Sequence, residues 1–467
     1  MMIALIFGAP LVLITIILFF RSKIINIVAL LTYSLLFCIA SLKLTINHEV
    51  FSRYFRADSL NTLFLVVIGI VLLGVSIYSI DFLKAADISE RWHRLYVILI
   101  LIFTGSMAAV LLTTHLAVMW VFMEATTLSS ALFIYMENTE HSLEATWKYI
   151  FLCSIGIAIA FIGIIMLSIA GSGKIPLFLD DLYNSAHQLS PFWLKLSFPI
   201  IAIGYGTKAG FAPMHTWVPD AYSEAPSPIS ALMSGTFANV AIIGILRVFH
   251  IMDLAGLRQF ASFFLFFMGF ISLLVAASYI IKTSNYKRML AYSSIEHVGI
   301  IVIAVAAGGV GRFAALLHMT AHSLAKTSLF LTAGITYHRY RSKTIDEIRG
   351  MLASDPACAW LWFTGFALIT GLPPFSLFIS EYLTIKALFD LRAFLLLIIF
   401  VLLLTIILYG FARQVFTMTS GNAVKLNDDT GAIRYIPPAV MIAAAGILGI
   451  YIPDWFKTLL DAAALLL

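Results

Sequence analysis

Six ionisable side chains interrupt the most apolar stretches of this sequence. They are Glu124, Lys208, His318, His322, Lys326 and Glu381. A charged side chain at the depth of a lipid bilayer costs roughly 2.5–3.5 kcal/mol on insertion scales, so such groups mark relays, ion pathways or substrate sites. Carboxylate, ammonium and imidazole groups can each gain or lose a proton when a neighbouring charge moves. The residue types therefore favour a path for protons.

The spacing of three of these residues indicates one helix face. In ALLHMTAHSLAKTSLFL, His318, His322 and Lys326 are four residues apart, which places them along about 12 Å of one side of a helix. A single buried histidine could simply bond a neighbouring carbonyl, and histidines four residues apart can also ligate zinc. The HExxH glutamate is absent, and no third ligand is apparent from the sequence. We therefore expect a proton path on this face, without a metal or another cofactor.

The stretch GYGTKAGFAPMHTWVPDAYSEAPSPIS, which begins at Gly204, combines a charge with a break in a helix. Lys208 lies in an apolar run, glycines loosen the backbone around it, and Pro213 removes a backbone donor one turn later. Broken backbone at bilayer depth is tolerated only inside protein or beside a water-filled cavity. A lysine near a helix end could instead extend its ammonium group to the interface. Apolar residues on both sides of Lys208 favour a polar site within a helix bundle.

Three further polar residues lie next to these spans. His215 and Asp220 follow the break after Lys208, and His297 lies in KRMLAYSSIEHVG. His215 and Asp220 could anchor the chain at the membrane interface, and Asp220 could also cap the next helix. His297 lies deeper in its apolar segment and could join the polar path. All three are candidates for support of the pathway.

The elements that must position these groups are transmembrane helices. The chain has 467 residues, of which 61% are hydrophobic and only 11% are charged, and no soluble core of this size is so apolar. Roughly 20 apolar residues span a bilayer, and about fourteen such segments follow one another without a soluble domain. We predict an all-α polytopic membrane protein. The approximate spans are 2–20, 24–45, 59–80, 95–112, 114–136, 146–170, 193–212, 228–249, 257–281, 289–308, 311–337, 358–387, 391–416 and 436–453.

Two of the predicted spans, the seventh and the twelfth, are broken. The seventh contains Lys208 and Pro213, and the twelfth contains GLPPFSLFISEYL with Pro373, Pro374 and Glu381. Broken helices at corresponding places in two halves are typical of inverted-repeat transport folds whose sites lie near the bilayer midplane. We therefore predict two inverted five-helix repeats. The predicted domains are 1–94 with spans one to three, 95–250 with spans four to eight, 251–416 with spans nine to thirteen, and 417–467 with the final helix and an amphipathic tail.

Loop charges predict an orientation, and other residues exclude some functions. About 16 Lys and Arg residues lie in the loops after odd-numbered spans, against about 11 on the side of the termini, so both termini are expected outside the cytoplasm. Cys38, Cys153 and Cys358 lie in or beside apolar spans and show no disulfide or cluster spacing. The net charge of +5 is spread over loops, which gives nucleic-acid binding no support. No nucleotide-binding loop or cofactor motif suggests a stand-alone enzyme.

Five motifs together resemble the antiporter-like subunits of the complex I superfamily, which are related to Mrp-type sodium/proton antiporters. The motifs are MEATTL, TKAGFAPMHTWVPDAYSEAPSPIS, KRMLAYSSIEHVG, HMTAHSLAKTSLFL and LPPFSLFISE. The resemblance covers nearly the whole chain and implies the family's core of fourteen helices. Within the family, LEATWKYIFLCSIGIAIAFIGI and SPISALMSGTFANVAIIGILR are most similar to component F of hydrogenase-4, a subunit of formate-hydrogenlyase-like group 4 membrane hydrogenases.

The resemblance implies a role for each matched residue. Glu124 and Lys208 match the family's fifth- and seventh-helix pair. Glu381 matches the terminal site of the twelfth helix, where some relatives carry lysine and the chain-M type carries glutamate. The connecting positions of the eleventh helix are matched by His318, His322 and Lys326. The implied path is a Glu–Lys–His–Lys–Glu axis at the bilayer midplane.

The eighth helix departs from the family pattern. Where some relatives have lysine or histidine, this chain has Asn239 and Ser234. An amide or hydroxyl group can hold a bridging water but does not store a proton near neutral pH. We therefore expect Ser234 and Asn239 to support the pathway, with proton storage left to the other helices.

The resemblance implies a proton-translocating subunit of a membrane-bound hydrogenase or related redox-driven complex. The alternatives are a chain-M-type subunit of NADH:quinone oxidoreductase and a Mrp-type cation/proton antiporter subunit without redox drive. The implied partners are further antiporter-like subunits, a quinone-site-like or hydrogenase-anchoring subunit, peripheral redox subunits and the lipid bilayer. The expected location is the cytoplasmic membrane of a bacterium or archaeon.

Overall fold

A computed structural model of the chain describes residues 1–85, 89–423, 426 and 431–467. Within these ranges the secondary structure is helical, apart from turns and isolated β-bridges. Eleven helices in the described part are long and apolar enough to cross a membrane by length and composition. The chain is therefore a multi-span membrane protein with an all-helical fold.

Six long helices form the first part of the bundle. They are α1 (Met2–Phe19), α2 (Lys23–Ile46), α3 (Ser59–Ala85), α4 (Glu90–Leu112), α5 (Leu116–Ile134) and α6 (Glu140–Ala170). A capping box starts α6, because the Ser142 N–H donates to Thr139 Oγ1 at 3.0 Å and the Thr139 N–H donates to Ser142 Oγ at 2.9 Å. Helix α6 packs along α5, which carries Glu124.

The next group contains the break that was expected near Lys208. Its helices are α7 (Leu179–Asn184), α8 (Pro191–Ala209), α9 (Trp217–Glu224), α10 (Ser227–Leu232) and α11 (Ala238–Leu254), with a π-helical turn at Met233–Phe237. Helix α8 ends because Gly210 adopts φ 89° and the Phe211 N–H donates to the Gly206 carbonyl at 2.9 Å. Lys208 is thus in the last turn of α8, where the predicted span continued to residue 212. A cation is favourable there because the C-terminal end of a helix carries partial negative charge.

The third group lies at the centre of the bundle. Its helices are α12 (Arg258–Ile280), α13 (Tyr286–Ala307), α14 (Val310–Tyr340) and the short α15 (Met351–Ser354). Asn285 caps α13, since its Oδ1 accepts from the N–H groups of Lys287 at 2.9 Å and Arg288 at 3.2 Å. Helices α10–α11 and α13 are almost entirely buried, which places them in the core beside α14.

The last group contains the second break. Its helices are α16 (Pro356–Ile369), α17 (Ser376–Asp390), α18 (Phe394–Thr419), α19 (Ile436–Ile450) and α20 (Asp454–Ala464). Asp355 caps α16 by accepting from the Cys358 N–H at 3.1 Å. The chain leaves α16 through Gly371 at φ 64° before α17 begins. Glu381 follows in the second turn of α17.

The eleven apolar spans leave out three of the fourteen predicted ones. The three correspond to α8, α14 and the α16–α17 pair, which carry Lys208, the eleventh-span histidines and Glu381. Polar content and interruption remove these segments from a purely hydropathic count. Three of the segments that carry candidate residues are therefore the ones that look least like ordinary membrane helices, whereas Glu124 lies on α5, which is among the eleven.

Candidate functional site

Lys208 is fully buried, and its ammonium group lies against α5. The group donates to the Met123 carbonyl, and to Thr127 Oγ1 at 2.6 Å. Thr127 Oγ1 lies 3.3 Å from Glu124 Oε2, to which it can donate. The threonine hydroxyl thus accepts from the lysine and donates to the glutamate. This chain of hydrogen bonds joins the two charged groups.

Glu124 and Lys208 do not form a direct ion pair. Among the described residues, no carboxylate oxygen comes within 4.0 Å of the Lys208 ammonium nitrogen. Glu124 is instead held by the Ser154 hydroxyl of α6, which donates to its Oε1 at 2.8 Å. The Glu124 side chain is only partly buried, on a side of the bundle where neighbouring Val121 and Leu128 are exposed. The carboxylate therefore lies between Lys208 and the outer surface of the chain.

A second buried ammonium group lies against α13. Lys326 of α14 is fully buried, and its Nζ donates to the Leu290 carbonyl at 2.7 Å and to Ser293 Oγ. Leu290 and Ser293 are one turn apart, so Lys326 contacts one face of α13. Neither of these hydrogen bonds involves His322, although the two residues share a helix face.

His297 connects the histidines that the sequence placed on α14. His297 Nδ1 lies 2.9 Å from His318 Nε2, and the ring centroids of His297 and His322 are 5.0 Å apart. The other nitrogen of His318, Nδ1, lies 2.9 Å from Ser380 Oγ on α17. All three imidazoles are fully buried. The structure thus places His297 at the centre of an imidazole cluster that links α13, α14 and α17.

Glu381 lies beside this imidazole cluster. A Cβ atom on Gly371 would approach Glu381 Oε2 to 2.3 Å, so the carboxylate rests on the backbone of the second helix break. Ligand atoms of His297, His318 and Glu381 all lie within 4.8 Å of one another. The sequence offered no third metal ligand beside the α14 histidines, whereas the fold brings two more candidates to them. The hydrogen bond between His297 and His318 favours proton exchange between the rings in this arrangement.

Asn239 lies on α11 just after a turn that faces Lys208, and it bonds α14, which carries Lys326. Its Nδ2 donates to Ser323 Oγ at 2.8 Å and to the Met319 carbonyl at 3.3 Å, both on α14. Its Oδ1 is buried and has no hydrogen-bond partner within the described part of the protein. The π-helical turn just before Asn239 includes Phe237, whose ring centroid is 5.3 Å from the Lys208 nitrogen. Such turns often occur at functional sites.

Ser234 extends the polar lining of this turn. Its hydroxyl lies 2.8 Å from the hydroxyl of Ser294 on α13. Both side chains are buried. A hydroxyl pair of this kind can carry hydrogen bonds between α10–α11 and α13.

The remaining two candidate residues, Asp220 and His215, lie apart from the buried lysines and the imidazole cluster. Asp220 accepts from Lys148 Nζ at 3.0 Å and from Arg288, so it ties α9 to α6 and α13 near the surface. His215 is partly buried on the turn after Pro213, and no contact among the described residues joins it to Lys208. Its surroundings lower the pKa of His215, chiefly through burial. The structure therefore gives both residues a place at the end of the bundle.

A cavity of about 460 Å³ opens at the end of the bundle where Lys287, Lys343 and Arg434 line it. Buried Lys287 lines it and donates to the Ala225 carbonyl at 2.6 Å. Lys343 lies 3.1 Å from Glu224 and 3.6 Å from Glu137. Burial opposes the charge on Lys343, but the two glutamates outweigh it and raise the pKa of this lysine. Burial likewise opposes the charge on Glu224, yet Lys343 holds the pKa of that carboxyl below its usual range.

Sequence reasoning missed several side chains that the fold brings to the site. Thr127, Ser154 and Ser293 contact the charged groups through hydroxyls, which are too common in membrane helices to attract notice alone. Glu296 is buried on α13 with 5% of its surface exposed. Its signal was a charged residue inside an apolar run, the same signal that identified Glu124.

Comparisons with known proteins agree with this architecture. Residues 113–407 match the family model described as NADH:quinone oxidoreductase/Mrp antiporter, TM. A hydrogenase-4 component F homolog from Methylacidiphilum infernorum is 32% identical over 441 residues, which cover 91% of this chain and 92% of that protein.

Two solved structures have a similar fold. A chain of the membrane-bound sulfane sulfur reductase (MBS), an archaeal respiratory membrane complex, aligns with a TM-score of 0.90 at 21% identity and covers 99% of this chain and 97% of that one. A chain of the Mrp complex from Dietzia sp. DQ12-45-1b aligns with a TM-score of 0.87 at 17% identity, over 100% of this chain and 96% of that one. Both belong to multisubunit membrane complexes. Because the family model matches more than half of the chain and a relative is 32% identical over most of its length, this chain belongs to the NADH:quinone oxidoreductase/Mrp antiporter family of membrane proteins.

Proposed function

We propose that this chain is a proton-translocating, antiporter-like subunit of a membrane-bound hydrogenase or a related redox-driven complex. The observation that carries the proposal is the Thr127 hydroxyl between Lys208 and Glu124. A hydroxyl that accepts from an ammonium group and donates to a carboxylate is a one-step route for a proton between them. The similarity to a hydrogenase-4 component F homolog over most of both chains supports the type of complex.

The rest of the path follows the polar contacts through the core. From Lys208 it passes the Asn239 region to Lys326 and the imidazole cluster of His297, His318 and His322. It ends at Glu381, which rests on the second helix break. Buried imidazoles exchange protons between ring nitrogens, and water bridges the gaps where no side chain reaches.

Movement of Glu124 is the switch in this account. Two opposite charges near one another each lower the cost of burying the other. When Glu124 moves away, Lys208 becomes a lone buried cation, and its proton is driven towards α14. The partly exposed position of Glu124 on α5 suits contact with a neighbouring membrane subunit, which can displace the carboxylate when its own conformation changes.

The topology that accompanies this function is also a proposal. All fourteen segments cross the membrane, and residues 95–250 and 251–416 form two inverted five-helix repeats. Both termini lie outside the cytoplasm. The partners are further antiporter-like subunits, a quinone-site-like or hydrogenase-anchoring subunit and peripheral redox subunits.

The fold likeness to a chain of a Mrp complex favours a second candidate, a cation/proton antiporter subunit without redox drive. The third candidate is a chain-M-type subunit of NADH:quinone oxidoreductase, because Glu381 matches the glutamate that this type carries at the twelfth-helix site. Inverted membrane vesicles that contain the intact complex separate the three. Acidification of the vesicle interior driven by hydrogen-dependent electron transfer supports the hydrogenase type, and acidification driven by NADH supports the chain-M type. A proton flux that follows only a sodium pulse supports the antiporter.

A variant tests the switch within whichever complex is found. Glu124→Gln removes the charge while keeping the shape, and we expect it to abolish driven acidification while subunit assembly is retained. Glu140→Gln, at the exposed start of α6, is the control and should behave as the unmodified protein. Normal acidification in an assembled Glu124→Gln complex would show that this carboxylate is not the switch.

A further inference from the structure

Glu296 is a buried carboxylate that the path described above does not use. It lies in the middle of α13, and 5% of its surface is exposed. Among the described residues, no hydrogen bond or ion pair within 4.0 Å engages its carboxylate. A buried acid without such a partner is expensive, so its presence in an apolar core requires a reason.

The reason lies on the face of α13 that Glu296 shares with Ser293. Residues three apart on a helix are neighbours on its surface. Ser293 accepts from the Lys326 ammonium group, and the Leu290 carbonyl one turn earlier accepts from the same group. Lys326 is therefore held against the strip of α13 that carries Glu296, and Glu296 is the carboxylate that acts electrostatically on it.

This arrangement is similar to the one around Lys208, except that Thr127 bonds Glu124 whereas no hydrogen bond joins Ser293 to Glu296 among the described residues. There, α5 offers a carbonyl at Met123, a hydroxyl at Thr127 and a carboxylate at Glu124, three residues from the hydroxyl. On α13 the carbonyl is at 290, the hydroxyl at 293 and the carboxylate at 296, again three residues from the hydroxyl. The order along the helix is reversed, with the acid before the hydroxyl in α5 and after it in α13. Each lysine comes from a different helix and bonds both the carbonyl and the hydroxyl.

We propose that Glu296 and Lys326 form a second proton-exchanging unit, with Ser293 between them. The proton leaves the Lys326 ammonium group and arrives on the Glu296 carboxylate, so a neutral amine and a neutral carboxylic acid result. No other reactant is needed, and the reverse transfer restores both charges. The inference rests on the proposed proton pathway and adds a carboxylate store at its centre.

The groups around Glu296 suit such a store. Helix α14 contributes Lys326, and α17 contributes Glu381, which acts on Glu296 with the same sign of charge. His297 follows it on α13 and belongs to the imidazole cluster. Helix α9, which also packs on α13, places its acid Asp220 against Arg288, which precedes Glu296 by eight residues on α13. A charge on Glu381 therefore opposes a charge on Glu296, while the charge on Lys326 favours it.

Infrared difference spectroscopy on the purified intact complex tests the store directly. The carbonyl stretch of a protonated carboxylic acid is separate from that of a carboxylate and shifts in heavy water. A pH titration of the unmodified complex should show a buried acid, and Glu296→Gln should remove that band while Glu140→Gln leaves it. An unchanged set of carboxylic-acid bands in Glu296→Gln would overturn the proposal.

Driven acidification in inverted vesicles supplies the second readout. Glu296→Gln should lower its rate at least about tenfold in an assembled complex, because a positioned proton-transfer group typically contributes that much or more. A normal rate in an assembled Glu296→Gln complex would overturn the proposal, and so would a lowered rate with unchanged carboxylic-acid bands, because loss of a charge beside Lys326 can by itself slow the transfer. This result is distinguishable from failure of the pathway itself, in which Lys326→Met and Glu124→Gln would also pump normally.

Discussion

Replacement of Thr127 by valine removes the hydroxyl that joins Lys208 to Glu124. Valine has nearly the same shape and the same β-branching, so α5 should keep its conformation. Lys208 retains the Met123 carbonyl, and Glu124 retains the Ser154 hydroxyl at 2.8 Å, so both groups stay in place. What is lost is one hydrogen bond to each charge and the direct connection between them.

The size of the effect follows from those bonds. A hydrogen bond to a charged group contributes about 1.5–3 kcal/mol. If that contribution is lost from the transfer step, the rate falls about 10- to 150-fold, since each 1.36 kcal/mol is a factor of ten. Thr127→Ser keeps the hydroxyl and should restore most of the rate.

The assay is acidification of inverted vesicles that contain the assembled complex, with electron transfer recorded in the same sample. Thr332→Val is the matched control, because the Thr332 hydroxyl is buried and donates to the Ser328 carbonyl of its own helix at 2.9 Å. We expect the control to pump normally. Equal pumping by Thr127→Val and the unmodified complex would refute the reasoning about the hydroxyl bridge.

Three further variants probe other contacts. Asn239→Leu should slow pumping, since an apolar side chain cannot hydrate the region between the lysines; an unchanged rate in a folded protein contradicts this. Gly371→Ala should slow it too, because its Cβ would displace the Glu381 carboxylate, whereas Gly173→Ala, with open space around it, should not. Lys343→Met should lower the melting temperature, because Lys343 holds the pKa of Glu224 below its unfolded value and the charged Glu224 therefore stabilises the fold above that value. The unmodified protein loses this stabilisation as the pH falls below about 5, so its melting temperature should fall more steeply there than that of the variant. An identical acid profile in the two proteins would exclude this ion pair.

The sequence could identify the charged groups because each broke an apolar run. That signal was sufficient for Glu124, Lys208 and Glu381, and the spacing on α14 was sufficient for a shared face. The same signal was present at Glu296, but only its neighbour His297 was predicted to support the pathway. The resemblance implied no role for Glu296, although this residue lies within the motif KRMLAYSSIEHVG.

The sequence could not determine which groups touch. The contact between Lys208 and Thr127 depends on how α5 and α8 are rotated, and the link from His318 to His297 depends on the crossing of α13 and α14. Neither quantity is encoded in local periodicity. The end of α8 just after Lys208 was also missed by three residues, because the glycine that terminates the helix lies in a run of several glycines.

The central claim is that Lys208 carries the transferred proton. The most direct measurement is the number of protons translocated per electron in the intact complex, for Lys208→Met and for Lys195→Met. Both lysines lie on α8, but Lys195 is exposed and Lys208 is buried. We predict a normal ratio for Lys195→Met and a ratio near zero for Lys208→Met, and for Lys208→Arg as well because arginine stays protonated. An unchanged ratio in an assembled Lys208→Met complex would contradict it.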